Sequence, residues 1–197
     1  MTGLPIQPID EELQTLQREV QRMLGRCLLR LQQYEQLMKA IVAHHEISAS
    51  GSPLESNQAE RIADAANKTL GTLVGTLLGT YVTSDEQDEV AEPDAPDNII
   101  SFKMKMSLRM SAEDFDTTQN DLKELVLLRN NLVHHFIDQH DLWSLDGCRG
   151  AQESLVAAYS RVDQHFEQLR GWAEHMDQAR RLAAEFAQSD AFRDLVI

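Results

Sequence analysis

From Ile9 to His45 the apolar residues Leu13, Leu16, Val20, Met23, Leu24, Cys27, Leu31, Tyr34, Leu37, Met38, Ile41 and Val42 recur mostly three and four positions apart. That spacing follows the 3.6-residue turn and writes one apolar stripe along a long helix. Pro8 lies just upstream, and Asp10 is a natural N-cap. A chain that opens this way must bury its stripe against further helices. The expectation is an all-α protein, a four- or five-helix up-and-down bundle with one short extended segment near residues 99–109.

The remainder of the chain fits that frame. Ser48 to Pro53 reads as a loop, and a second helix is expected from Leu54 to about Tyr81. Gly71, Gly75 and Gly79 share one face of it. Glycine costs about 1 kcal/mol against alanine inside a helix, so this register implies close backbone approach. The approach is either to another helix of the domain or across a dimer contact. Ile99 to Arg109 alternates Phe102, Met104, Met106 and Leu108 with polar residues, which is the period of a strand. A lone strand needs a partner, in a short segment elsewhere or in a second chain. Ser111 then caps a helix running to about His140, residues 141–147 form a turn, and helices follow over Gln152 to about Met176 and Ala179 to Phe186.

With 197 residues, 5 Pro and 9 Gly, the chain reads as one globular domain. Its net charge is -14, and Ser84 to Asp97 alone carries seven acidic residues with no basic one. That stretch reads as a mobile acidic loop. No Lys/Arg stripe appears, which excludes a protein that grips long nucleic acid through many phosphates. Cys27 and Cys148 match no metal spacing and read as reduced core fillers. The polar, acidic N-terminus does not read as a secretory leader. The longest apolar run, Thr69 to Thr83, is short of the roughly 20 residues a membrane span needs. A cytoplasmic protein without a membrane segment is expected.

One helix carries an anomaly. In Glu124 to His140, Leu125, Val126, Leu132, Val133, Phe136 and Ile137 share an arc, and Arg129 lies near its centre. A buried guanidinium without partners costs several kcal/mol. Arg129 is therefore either a paired structural charge or part of a working site. Asn130 and His134 are one turn apart, whereas Arg129 and His134 stand about 140° apart on an ideal helix. The last two meet at one point if the arginine bends, or if two copies of the helix come together across a two-fold axis.

Arg129-Asn130-Asn131-Leu132-Val133-His134, with His135-Phe136 after it, resembles the R-x4-6-H motif of the HEPN superfamily (higher eukaryotes and prokaryotes nucleotide-binding). The resemblance implies a HEPN-like helical domain over residues 1–197 that forms a homodimer. It implies a metal-independent endoribonuclease, or an RNA-binding relative, with no cofactor. The setting it implies is a toxin–antitoxin or defence pair, with RNA as substrate and an antitoxin protein as partner. By motif position Arg129 and His134 are the catalytic pair and Asn130 the polar residue beside them. Glu35 and Glu46 are the acidic residues that could pair with the arginine. The residue types suit the chemistry: histidine exchanges the proton of a ribose 2′-hydroxyl near neutral pH, and arginine presents a planar fork to phosphate oxygens. The product would be a 2′,3′-cyclic phosphate.

Two other readings stand beside it. In one, the chain is a noncatalytic dimeric interaction module whose Arg129 is a structural ion pair. In the other, His134 and Asp138, with Asp141 or His140, hold a metal for hydrolysis. His165 and His175 read as surface residues, and Trp143 and Trp172 as core or interface anchors.

Overall fold

The first apolar stripe folds as α1, Pro8–His44, in a computed structural model that describes residues 8–50, 54–86 and 101–190. Val20, Met23, Cys27, Leu31, Tyr34, Met38, Ile41 and Val42 are its buried face. The protein is an all-α helical bundle with short extended segments, as the periodicity requires.

Where one helix was expected over residues 54–81 there are two, α2 (Leu54–Ala66) and α3 (Leu70–Thr80). The break falls at Asn67-Lys68-Thr69. The Asn67 and Lys68 amides close short turns onto Asp64 and Ala65, and Thr69 turns extended and caps α3. Its hydroxyl accepts from the Thr72 amide at 3.4 Å, the local competition by which threonine favours helix starts. The three glycines of α3 are exposed, and a Cβ added at Gly75 or Gly79 would meet nothing within 4 Å. Among the described residues, no close contact requires glycine at Gly75 or Gly79.

The extended segment finds its partners within the chain. β3 (Ser101–Lys105) runs antiparallel to β1 (Glu46–Ser50), with Glu46 opposite Lys105. β4 (Leu108–Met110) runs parallel to β2 (Val82–Ser84). β1 and β2 begin directly after helices, too short to show any period of their own. Ser84 thus belongs to β2, while residues 87–97 of the acidic stretch and residues 99–100 lie outside the described residues.

Ser111 caps α4 (Ala112–Asn130) as expected, accepting from the Asp114 amide at 3.1 Å. A π-helical segment, Asn131–His135, continues it, followed by α5, Phe136–Gln139. The two expected C-terminal helices are one, α6, Leu145–Ala187. Ser144 caps it, with its hydroxyl on the Gly147 amide at 3.1 Å and its carbonyl on the Cys148 amide at 3.0 Å. The helix runs unbroken through residues 177–178, where Asp177 pairs with Arg181 at 2.6 Å, an i,i+4 tie.

The described residues gather into two compact units, one from α1 up to Tyr34 with Lys123–Glu167, the other from Glu35–Leu122 with α6 from Gln168 onward. In the first, α1 and α6 run parallel: Glu12 meets Arg149, the Cys27 thiol meets the Leu155 carbonyl, and Arg30 Nε donates to Asp163 at 2.7 Å. The end of α4 runs antiparallel to both, with Glu124 on Arg161 and the Leu142 carbonyl on Gln17. This unit is an up-down-up three-helix layer. Cys27 and Cys148 are buried, free thiols in it. His165 is not a plain surface residue: its ring stands edge-on to Tyr34 at 6.4 Å. In the second unit Leu70, Leu73 and Leu77 of α3 are fully buried, and Tyr81 donates to the Trp172 carbonyl at 3.1 Å. No described helix is long and apolar enough to cross a membrane.

Candidate functional site

The segment Leu125–Ile137 buries a narrower face than its sequence offers. Leu125, Leu132 and Phe136 are buried, whereas Val133 and Ile137 are 44% and 74% exposed. Arg129 therefore sits at the edge of the core face, half-buried, and not at its centre. The apolar stem of an arginine can cover core residues there while its head reaches water. This resolves the burial anomaly without a deeply buried charge.

The π-helical segment is the main local departure from regular structure. A π turn closes i→i+5 hydrogen bonds, one residue more than an α turn. His134 is residue i+5 from Arg129, and most of the interval between them lies inside this segment. The extra residue narrows the roughly 140° that separates the two in an ideal α-helix. His135 ends the segment with φ −126° and ψ 0°, and Phe136 returns to regular helix and to the core.

Arg129 Nη1 lies 3.5 Å from Asn130 Oδ1, a long contact that joins two of the three expected residues. His134 is exposed and makes no hydrogen bond to either; its ring stands edge-on to His135 at 6.3 Å. His135, and not His134, faces Asp138, at 4.0 Å. Among the described residues no three His, Cys, Asp or Glu side chains gather as a metal site. Glu46 is held by Arg61 at 3.0 Å, with Lys103 at 4.0 Å, and Glu35 is a half-buried residue of α1. Both glutamates belong to the second unit and Arg129 to the first.

Two hollows of the first unit have linings other than the Arg/His pair. One of about 500 Å³ is lined by Gln17, Gln21 and Ile137–Trp143. One of about 220 Å³ is lined by Asn131, Leu132, Phe136 and residues of α6. Neither lining includes Arg129 or His134. Trp143, on the rim of the larger one, is 84% exposed and so is no core anchor. The loop that presents it is fixed, with the Trp143 amide on Asp141 Oδ1 at 3.1 Å and Gln17 on the Leu142 carbonyl at 2.9 Å. Sequence reasoning missed the π turn and this hollow. The loop signal Asp141-Leu142-Trp143-Ser144 marked the second only as a turn.

The chain matches no protein-family model, no curated protein and no solved structure.

Proposed function

We propose that this protein is a HEPN-type, metal-independent endoribonuclease built on Arg129, Asn130 and His134, or an RNA-binding relative that keeps the same site. The observation that supports the reading is the π turn across Asn131–His135, since a wider turn sets residues five apart closer in angle than the roughly 140° of a regular helix. Such turns are found frequently at functional sites, since a regular helix is given up to make them. An exposed imidazole and a half-buried guanidinium on one helical segment are the residue types that supply the proton acceptor and the phosphate-charge stabiliser that cleavage through a 2′-hydroxyl requires. His134 is exposed, so a second copy of the helix would complete the cleft in a homodimer. The setting that suits such an enzyme is a cytoplasmic toxin–antitoxin or defence pair, with an antitoxin protein as partner.

A second reading rests on Leu127, Val133 and Ile137, which are 62%, 44% and 74% exposed on the same helical segment. In it the segment is a protein-binding face and Arg129 a structural residue. Paired variants separate the two. On the enzyme reading, Arg129→Ala and His134→Ala both fold and both lose RNA cleavage. On the second, Arg129→Ala lowers stability, His134→Ala changes nothing, and no RNA is cleaved by the unmodified protein.

A further inference from the structure

The larger hollow of the first unit carries its rim tryptophan on a loop that is pinned from both sides. The Leu142 carbonyl takes two donors, Gln17 Nε2 at 2.9 Å and the Cys148 thiol at 3.3 Å. The Trp143 amide sits on Asp141 Oδ1 at 3.1 Å, and the Ser144 amide on the Asp141 carbonyl at 3.4 Å. The backbone is thus fixed, yet the indole is left 84% exposed at a hollow of about 500 Å³. Folding ordinarily covers an indole, which carries one of the largest apolar surfaces of any side chain. Capping of α6 does not explain a tryptophan here, because Ser144 supplies the cap.

The polar lining is biased toward acceptors. Asp138 and Asp141 give it two carboxylates, and no Lys or Arg lines it. Gln17 spends its amide nitrogen on Leu142, so Oε1 is the end left open. Asp141 spends Oδ1 on the Trp143 amide and keeps Oδ2. Asp138 has a 4.0 Å approach from His135, beyond hydrogen-bond reach. Such a lining repels an anion. It suits a donor-rich cation with a flat face, whose hydrogens go to the oxygens and whose face goes to the indole.

We propose that this hollow binds the arginine side chain of a basic segment in a partner protein. A guanidinium is planar, stacks on an indole and feeds a carboxylate through two parallel hydrogen bonds, which an ammonium does not do. The partner is a protein and not a nucleic acid, because a phosphate backbone entering here would meet Asp138 and Asp141. The net charge of -14 draws a basic segment in from solution. Ile137, 74% exposed in the same lining, gives apolar contact to the residues that flank the arginine. Arg129 and His134 do not line the hollow, so binding there holds whether or not the chain cleaves RNA.

The test follows the indole Nε1–H resonances of the two tryptophans in the full chain by NMR, with Trp143→Phe assigning them. The probes are a capped Ala-Arg-Ala peptide, its lysine and citrulline counterparts, and guanosine 5′-monophosphate. Citrulline keeps the shape of arginine without its charge, and the nucleotide is a flat, donor-bearing anion. The arginine peptide should shift Trp143 saturably and leave Trp172 in place. The citrulline peptide should bind about tenfold more weakly and the lysine peptide about threefold more weakly. Asp138→Asn, at a side chain 79% exposed, should weaken the arginine peptide about fivefold with helicity unchanged. If Asp138→Asn does not fold, calorimetry on Trp143→Ala should show binding of the arginine peptide lost. The proposal is overturned if no peptide moves Trp143, or if guanosine monophosphate alone does. It is equally overturned if the citrulline or lysine peptide binds as tightly as the arginine peptide, or if Asp138→Asn binds that peptide unchanged.

Discussion

A methyl group on Gly147 would lie 1.9 Å from the Asp141 carbonyl oxygen and 2.9 Å from Ser144 Oγ. The first turn of α6 closes so tightly on the preceding loop that only glycine fits. Gly147→Ala should lower stability by about 1–3 kcal/mol, the usual cost of overpacking, seen as a drop in Tm. His134 is the opposite case. It is exposed and unbonded, so His134→Ala should change stability by no more than about 0.5 kcal/mol, measured by denaturant unfolding. At this scale the sequence was informative about residue identity and less so about environment. Arg129, Asn130 and His134 stand out by type, and Cys27 and Cys148 were rightly read as buried. The half-burial of Arg129 and the 84% exposure of Trp143 depend on which part of an apolar arc the fold chooses to cover.

Among the elements, α1 and α4 were legible because each carries a long apolar register and α4 a capping serine. The break before α3 was hidden because a threonine N-cap looks like any threonine inside an apolar run. Thr69→Ala should cost about 1 kcal/mol by removing that cap, read as a lowered Tm. The π turn leaves no mark in residue type, since it is one extra residue in a helix that otherwise keeps its register. That origin gives a direct test of its role. Deleting the exposed Asn131 should restore a regular α-helix with Leu132 and Phe136 still in the core. The variant should stay folded by circular dichroism and, on the proposed reading, keep RNA cleavage, because Arg129 and His134 then stand i and i+4 on one face, about 40° apart.

For the whole molecule, acid sensitivity follows from the end of α1. Burial holds both His44 and His45 below the ordinary value of 6.5; for His45 the Val42 hydrogen bond opposes it and the Arg61 charge adds to it. Each therefore binds fewer protons in the folded chain than in the unfolded chain below about pH 6.5. Their contribution to stability is full above that pH and is lost as the pH falls through the folded values. A series of Tm measurements from neutral to mildly acidic pH should show this decline, and His44→Gln should flatten it. The all-α bundle itself was readable from periodicity, whereas the division into two units was not, because α1, α4 and α6 each contribute residues to both. The claim that ties these scales together is that Arg129 and His134 cleave RNA without a metal. The most direct measurement is the 3′ end left on a defined RNA by the purified protein in excess chelator. The account predicts a 2′,3′-cyclic phosphate from the unmodified protein and intact RNA with His134→Ala. Intact RNA with the unmodified protein, or equal cleavage by the two, would contradict it.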